Sequence, residues 1–166
     1  TLEGEHTRPT SEKVKEAVFS IIQFELEGRR VLDLFAGSGQ MGIEAISRGA
    51  RECVFVENDR AAAKIVRENV EKCKFQDRAR FVVSDFKSFL SRGGEPFDII
   101  IADPPYAAGY YKKILESISE FDMLNFNGII IVESPRELQL DKPPEGITKG
   151  REYLYGKTKI TVYRRD

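Results

Sequence analysis

Residues 31–42 read Val-Leu-Asp-Leu-Phe-Ala-Gly-Ser-Gly-Gln-Met-Gly, an apolar stretch that runs into a glycine-rich one. Gly37, Gly39 and Gly42 satisfy the pattern G-x-G-x-x-G between a predicted strand and a predicted helix, and Glu57 follows Gly37 by 20 residues. Taken literally, this is the dinucleotide-binding fingerprint, with a pyrophosphate at the helix N-terminus and the carboxylate on the ribose. A glycine loop followed by an acidic second strand suits any adenosine cofactor, because each needs close backbone approach and a ribose acceptor.

Strands and helices alternate along the rest of the chain. A helix is predicted from about Ser11, where apolar residues recur at helical spacing. The elements that follow it, alternately strand and helix, are Arg30–Leu34, Met41–Arg48, Glu52–Glu57, Ala61–Cys73, Arg80–Ser84, Phe86–Leu90, Phe97–Asp103, Tyr111–Ser119 and Gly128–Glu133. Such alternation indicates a parallel sheet with helices on both faces.

The alternation of strands and helices stops in the last part of the sequence. Gly150–Tyr155 and Lys159–Arg164 are separated by three residues, which leaves no room for a crossover helix, so the two runs predict an antiparallel hairpin. We therefore expect a doubly wound α/β fold with a seven-stranded, mostly parallel sheet whose last strand is antiparallel.

Composition favours a globular protein. The chain has 166 residues, of which 41% are apolar and 32% are charged, and this fits a single domain over residues 1–166. No run approaches the roughly 18 apolar residues of a membrane helix, and the polar start is unlike a signal peptide, so we expect a cytoplasmic protein without a membrane partner. Cys53 and Cys73 have no nearby His or Cys, which indicates two reduced, at least half-buried thiols and neither a zinc site nor a disulfide.

Charge alone does not predict a nucleic-acid partner. The net charge is −1, without the overall basic signature of such proteins. The last stretch is locally basic, with Lys149, Arg151, Lys157, Lys159, Arg164 and Arg165. This cluster could face phosphates, or it could protect an edge strand from aggregation, and both interpretations stay open.

A second motif, Asp103-Pro104-Pro105-Tyr106, follows the apolar run at residues 98–102. Chemistry in open α/β sheets sits at such strand ends. Two successive prolines forbid helix and remove two backbone donors, so we expect the carbonyls of Asp103 and Pro104 to point into a crevice. Acceptors beside an aromatic ring suit a flat substrate that carries an amino group. The alternative is a proline-rich turn that only closes a strand.

Asp33 bears on the choice of cofactor. A carboxylate four residues before Gly37 would repel a pyrophosphate but attract an ammonium or a sulfonium group. S-adenosylmethionine carries both cations and no phosphate. Asp85, after the third strand, could accept the adenine amino group while Phe86 covers the ring, and it could also cap the next helix. The structural alternative for Asp33 is a salt bridge with Arg29 or Arg30.

Along the chain the motifs occur in the order Asp33–Gly42, Glu57, Asp85 and Asp103–Tyr106. In this order they resemble the motifs of class I S-adenosylmethionine-dependent methyltransferases that act on exocyclic amino groups. Six segments narrow the resemblance to the bacterial 16S ribosomal RNA guanine-N2 methyltransferase family, and the resemblance extends from Thr7 to Arg165. The segments are Thr7–Thr10, Lys15–Phe19, Leu34–Gly39, Glu44–Ala50, Glu57–Arg60 and Tyr155–Thr158.

The resemblance implies S-adenosylmethionine as cofactor and ribosomal RNA as partner, either free or within a 30S assembly intermediate, and we expect a monomer. The implied cofactor-binding residues are Asp33, Phe35, Ala36, Gly37, Ser38, Gly39, Glu57, Asn58, Asp85 and Phe86. The implied catalytic residues are Asp103, Pro104, Pro105 and Tyr106. Arg8 and Thr10, before the predicted first helix, could close over the cofactor or contact the target nucleotide, or this segment could be only the entry to the helix with Thr10 or Ser11 as its cap. Tyr110 could extend the substrate surface or serve only in packing, and Lys157 is a further candidate substrate contact. Family members usually carry a basic hairpin before the segment that matches Thr7–Thr10, so we expect either a truncation before Thr1 or a start that is disordered and absent.

Three rival functions are also compatible with the sequence. A DNA adenine-N6 or cytosine-N4 methyltransferase would use the same acceptor geometry, but no predicted connection is long enough for an insert that reads base edges. A nicotinamide-dependent oxidoreductase would use the glycine loop for a dinucleotide. A non-catalytic RNA-binding module would need no cofactor.

Overall fold

The structure is a computed structural model that describes the backbone of residues 2–106 and 109–166, and the side chains of residues 12–106 and 109–166. Its helices are α1 Leu2–Ile22, α2 Gln40–Ser47, α3 Arg60–Lys72, α4 Phe86–Ser91 and α5 Tyr110–Glu120, with a short 3₁₀ helix at Gln76–Arg78. Its strands are β1 Arg30–Asp33, β2 Glu52–Glu57, β3 Ala79–Val83, β4 Phe97–Ala102, β5 Leu124–Pro135, β6 Ile147–Tyr155 and β7 Thr158–Arg165.

The seven strands form one sheet in the order β3-β2-β1-β4-β5-β7-β6. Strands β1 to β5 pair in parallel, and β7 runs antiparallel to both β5 and β6. The predicted fold is therefore confirmed, including the antiparallel last strand. The direction of winding reverses between β1 and β4, which is the topological switch point where ligands bind in sheets of this kind.

Two apolar clusters cover the two faces of the sheet. Odd-numbered residues of the central strands, such as Ile101 and Ile131, pack against α1, α2 and α3. Even-numbered residues, such as Ile100 and Ile130, pack against α4 and α5. Because both faces are covered, the central strands are apolar at nearly every position. The alternation also decides which side chains at the strand ends can meet on one face.

The structure corrects the predicted start of the first helix. Helix α1 begins at Leu2 rather than near Ser11, so neither Thr10 nor Ser11 caps its N-terminus. The sequence pattern missed the first turns because Leu2 is the only large apolar residue before Val14, and a helix without an apolar face leaves no periodicity to detect. Strand β5 also begins earlier than predicted, at Leu124.

Two expectations from composition can be compared with the structure. Cys53 is buried as predicted, but Cys73 is exposed because it follows the last turn of α3 at the surface, so the expectation of a half-buried thiol there was wrong. Among the helices of the described residues, none combines the length and the apolar character required to span a bilayer.

Candidate active site

A cavity of about 480 Å³ opens at the carboxyl ends of the central strands, within the usual range for small-molecule sites. The structure brings together here most of the residues that the sequence assigned to cofactor and substrate. Those that line the cavity are Asp33, Phe35, Ala36, Gly37, Ser38, Glu57, Asn58, Asp85, Phe86, Asp103, Pro105 and Tyr110.

The remaining assigned residues lie around this cavity or outside the described part of the chain. Pro104 is buried, whereas Tyr106 follows it with 63% of its surface exposed. Gly39 is buried behind the glycine loop. Lys157 is exposed in the β6–β7 turn, one residue from Thr158, which lines the cavity. The side chains of Arg8 and Thr10 lie outside the described residues.

The glycine loop is held by the end of β2. The backbone N–H of Gly37 donates to Glu57 Oε1 at 2.8 Å, and the N–H of Asp59 donates to Glu57 Oε2 at 2.9 Å. Gly39 has φ 86°, and a Cβ there would stand 2.9 Å from Val66 Cγ1, so a larger residue would be both strained and crowded. Each Glu57 oxygen keeps a lone pair, which leaves this side chain able to accept from ribose hydroxyls.

Asp33 is a buried carboxyl group at the floor of the cavity. Its Oδ2 accepts the backbone N–H of Gly42 at 3.0 Å, and only 3% of the residue is exposed. Burial raises the pKa of Asp33 from 3.8 to about 7, and the nearby Asp103 and Glu57 add to this rise. Within the described residues Asp33 forms no salt bridge with Arg29 or Arg30, and Arg30 pairs with Glu52 instead, so the structural alternative for Asp33 was wrong.

Asp85 caps helix α4, which was one of the two roles predicted for it. Its Oδ1 accepts the backbone N–H of Ser88 at 2.8 Å, and its Oδ2 accepts the hydroxyl of the same residue at 2.8 Å. These hydrogen bonds hold the pKa of Asp85 below its usual value, so the group is ionised at neutral pH. The carboxylate still borders the cavity, and its free lone pairs leave the adenine role available.

Three aromatic rings form a wall beside Asp85. The centroid of Phe35 lies 5.8 Å from those of Phe86 and Tyr110, and Phe86 meets Tyr110 edge-to-face at 5.1 Å. Phe86 is supplied by the first turn of α4 and Tyr110 by the first turn of α5. The structure thus places Tyr110 with rings that the sequence assigned to the cofactor, although Tyr110 itself was assigned to the substrate.

Glu133 is a lining residue that the sequence reasoning missed. It follows the apolar run 129–132 of β5 and opens into the cavity near Asp33 and Asp103. Burial and the neighbouring Asp103 raise its pKa from 4.5 to about 9. The available signal was the same as for Asp103, namely an acid placed where a buried strand reaches its carboxyl end. Val14 of α1 and Thr158 of β7 also line the cavity and come from distant parts of the chain.

The charges of the side chains that line the cavity indicate which cofactor it can bind. Among the described residues, the cavity is lined by five acids and by no Lys, Arg or His: Asp33, Glu57, Asp85, Asp103 and Glu133. A dinucleotide would bring its pyrophosphate against these carboxylates, whereas a sulfonium and an ammonium group would be attracted to them. The lining residues therefore fit S-adenosylmethionine and oppose a nicotinamide dinucleotide.

Comparison with known proteins identifies the family. The family described as "Conserved hypothetical protein 95" matches residues 1–164. The chain belongs to this family. The Bacillus subtilis protein named "Putative rRNA methyltransferase YlbH" is 37% identical over 165 residues, which are 98% of this chain and 90% of that protein. The Escherichia coli "Ribosomal RNA small subunit methyltransferase D" is 33% identical over 96% of this chain and 80% of its own length.

Comparison with a solved structure of a methyltransferase gives a similar fold. The Escherichia coli protein described as "Putative methyltransferase yhhF" superposes with a TM-score of 0.87 at 32% identity, covering 93% of this chain and 86% of that one. The prediction of a class I methyltransferase fold and of methyltransferase activity is confirmed. These relatives do not favour the oxidoreductase or the DNA methyltransferase.

Proposed function

We propose that this protein transfers a methyl group from S-adenosylmethionine to the exocyclic N2 amine of a guanine in small-subunit ribosomal RNA. The observation that carries the proposal is an acidic, aromatic-walled cavity that Asp103 and Pro105 of the turn line, followed in the chain by the exposed ring of Tyr106. The name of the Escherichia coli relative supports small-subunit ribosomal RNA as the substrate.

Each cofactor-binding residue would contact a different part of S-adenosylmethionine. Asp33 would take the ammonium group, Glu57 the ribose hydroxyls and Asp85 the adenine amino group. Phe35 and Phe86 would pack on the adenine ring. When bound, S-adenosylmethionine supplies an electrophilic methyl group on a positively charged sulfur. The carboxylates of the cavity favour that cation electrostatically, while the backbone of the glycine loop allows close approach.

The residues of the turn Asp103–Tyr106 would make the guanine N2 amine more nucleophilic. The lone pair of guanine N2 is delocalised into the ring, so the amine is a poor nucleophile until hydrogen-bond acceptors draw it toward tetrahedral geometry. The Asp103 carboxylate and the Pro104 carbonyl would accept its two N–H bonds, and the ring of Tyr106 would stack on the extruded base. The amine proton becomes acidic only as the new N–C bond forms, so a strong base is unnecessary.

The proposal extends to the RNA surface and to the form of the substrate. Lys157 is exposed in the β6–β7 turn, and its carbonyl accepts the backbone N–H of Arg136 at 2.9 Å, which fixes the turn beside the cavity. This position supports a contact between Lys157 and a phosphate. A 30S assembly intermediate as substrate, a monomeric state, a cytoplasmic location and a single domain over residues 1–166 remain predictions from the sequence.

Methyl transfer from tritiated cofactor tests this function. Wild-type protein, Asp103→Asn and Asp103→Ala are incubated with small-subunit ribosomal RNA, with 30S particles and with duplex DNA. We expect label in RNA from wild-type protein, a loss of about 100-fold or more in Asp103→Ala, and cofactor affinity within about 3-fold in all three proteins. Label in DNA but not RNA, or near-normal turnover by Asp103→Ala, would contradict the proposal.

A further inference from the structure

Asp103 and Glu133 are brought side by side by the pairing of two parallel strands. Ala102 of β4 stands opposite Val132 of β5, so the next residues along the two strands are Asp103 and Glu133. Both carry odd numbers, as do Ile101 and Ile131, whose side chains pack on the α1 face of the sheet. The two carboxyl groups therefore project from the same face at the same edge, and both line the cavity.

The surroundings of Glu133 favour a single proton shared between the two groups. Asp33, one strand beyond Asp103, adds a further acid, and burial together with the charges of Asp103 and Glu133 raises the pKa of Tyr111 on α5. The α1 and β7 residues that line the same cavity, Val14 and Thr158, are uncharged, and no described lining residue is a Lys, Arg or His. Two adjacent carboxyl groups raise each other's pKa, so one shared proton lowers the electrostatic cost of the pair.

The location of the proton follows from the two environments. Burial raises the pKa of both Asp103 and Glu133, but the hydrogen bond from Glu133 opposes the rise at Asp103, whereas the charge of Asp103 adds to the rise at Glu133. Glu133 is consequently the protonated partner at neutral pH, and its O–H donates to the Asp103 carboxylate. One lone pair of Asp103 is then used by Glu133, and the others stay open to the cavity.

We propose that Glu133 is a positioning residue for methyl transfer, whose protonated carboxyl donates to Asp103 and thereby keeps the Asp103 carboxylate ionised and oriented toward the substrate amine. This inference rests on the proposed function, because it assumes that Asp103 accepts an N–H bond of that amine. Glu133 itself touches neither the amine nor the methyl group. Its effect is to fix one oxygen of Asp103 and to spare the site an additional negative charge.

The pairing is tested first without any substrate. Carboxyl carbons of aspartate and glutamate are labelled with ¹³C, and their NMR shifts are followed with pH in wild-type protein, Glu133→Gln and Glu133→Leu. The Gln side chain keeps a donor and is always neutral, whereas Leu removes the donor. We expect Glu133 to titrate well above pH 7 in the wild type, and Asp103 to titrate about 1–2 pH units higher in Glu133→Leu than in Glu133→Gln.

Kinetics then test the functional consequence. At pH 7.5 we expect kcat for RNA methylation to stay within about 3-fold of wild type in Glu133→Gln and to fall about 10- to 100-fold in Glu133→Leu, with cofactor affinity within about 3-fold in both. Above pH 9 the wild-type rate should fall as Glu133 ionises, whereas the Glu133→Gln rate should not fall with it, because an amide cannot lose its donor by ionisation.

Two results would overturn the inference: titration of Glu133 below pH 6 in the wild type, or equal kcat in Glu133→Gln and Glu133→Leu. If Glu133→Leu fails to fold, the wild-type titration and the alkaline limb of Glu133→Gln still decide. Failure of the proposed function is distinguishable, because a protein that does not methylate RNA still reports on the Asp103–Glu133 pair in the NMR titration.

Discussion

Replacing Asp33 by Asn should stabilise the protein without cofactor and weaken its binding of S-adenosylmethionine. The amide keeps the shape of the carboxylate, and its oxygen can still accept the N–H of Gly42, so the start of α2 should be unaffected. What the substitution removes is a buried acid whose pKa is raised from 3.8 to about 7. The two expected effects have opposite signs, which few accidental consequences of a mutation would reproduce.

The stability effect has a defined pH window. Below pH 3.8 Asp33 is protonated in both the folded and the unfolded chain, and it favours neither. Between pH 3.8 and about 7 the unfolded chain releases the proton while the folded one keeps it, so the free energy of unfolding falls as pH rises. At about 1.36 kcal/mol per pKa unit, the full displacement corresponds to about 4 kcal/mol, and Asp33→Asn should recover about 1–4 kcal/mol above pH 7.

The loss of cofactor affinity comes from the same charge. A hydrogen bond to a charged group contributes about 1.5–3 kcal/mol, so the dissociation constant of S-adenosylmethionine should rise about 10- to 150-fold in Asp33→Asn. Urea unfolding without cofactor from pH 4.5 to 8.5, combined with calorimetric titration of the cofactor, measures both effects. Asp77→Asn, at an exposed site far from the cavity, is the matched control and should change neither.

The reasoning on Asp33 would be refuted by a stability difference between wild type and Asp33→Asn that does not grow between pH 4.5 and 7. It would equally be refuted by unchanged cofactor affinity, because the acidic floor of the cavity would then have no role in attracting a cation.

Three further predictions test the loop, the turn and the RNA surface. Gly42→Ala would place a Cβ 2.3 Å from Phe55 Cε2, so urea unfolding should show a loss of about 1–3 kcal/mol. Tyr106→Ala should raise KM for RNA about 5- to 100-fold through lost stacking, whereas Tyr106→Phe should stay within about 3-fold and the cofactor dissociation constant should not move. Lys157→Ala should lower the salt dependence of RNA binding by about one counterion, and Lys142→Ala, at an exposed site in another loop, should not.

The fold could be predicted because its determinants are local in sequence. The apolar run of β4, the glycine loop after β1 and the short β6–β7 connection each indicate one element, and alternation of elements then restricts the topology. The first turns of α1 were missed because Leu2 is the only large apolar residue before Val14, so no apolar periodicity marks the true start at Leu2.

The site was predictable only where motifs are contiguous. Asp33 and Glu57 end strands β1 and β2, Asp103 directly follows β4, and the parallel sheet places all three at one edge. Glu133 reaches the same place through the register of β5 with β4, which single-strand patterns do not contain. Thr158 arrives through the pairing of β7 with β5, where it stands opposite Pro135. Such contacts depend on tertiary packing rather than on local sequence.

The central claim is methylation of guanine N2 in small-subunit ribosomal RNA, and the identity of the product nucleoside tests it most directly. The RNA is incubated with this protein and with S-adenosylmethionine carrying a ¹³C-labelled methyl group, digested to nucleosides and analysed by mass spectrometry beside a reaction with Asp103→Ala. The account predicts labelled N2-methylguanosine from the wild-type protein and nearly none from the variant. Label in a methylated adenosine or cytidine instead, or equal yields from both proteins, would contradict it.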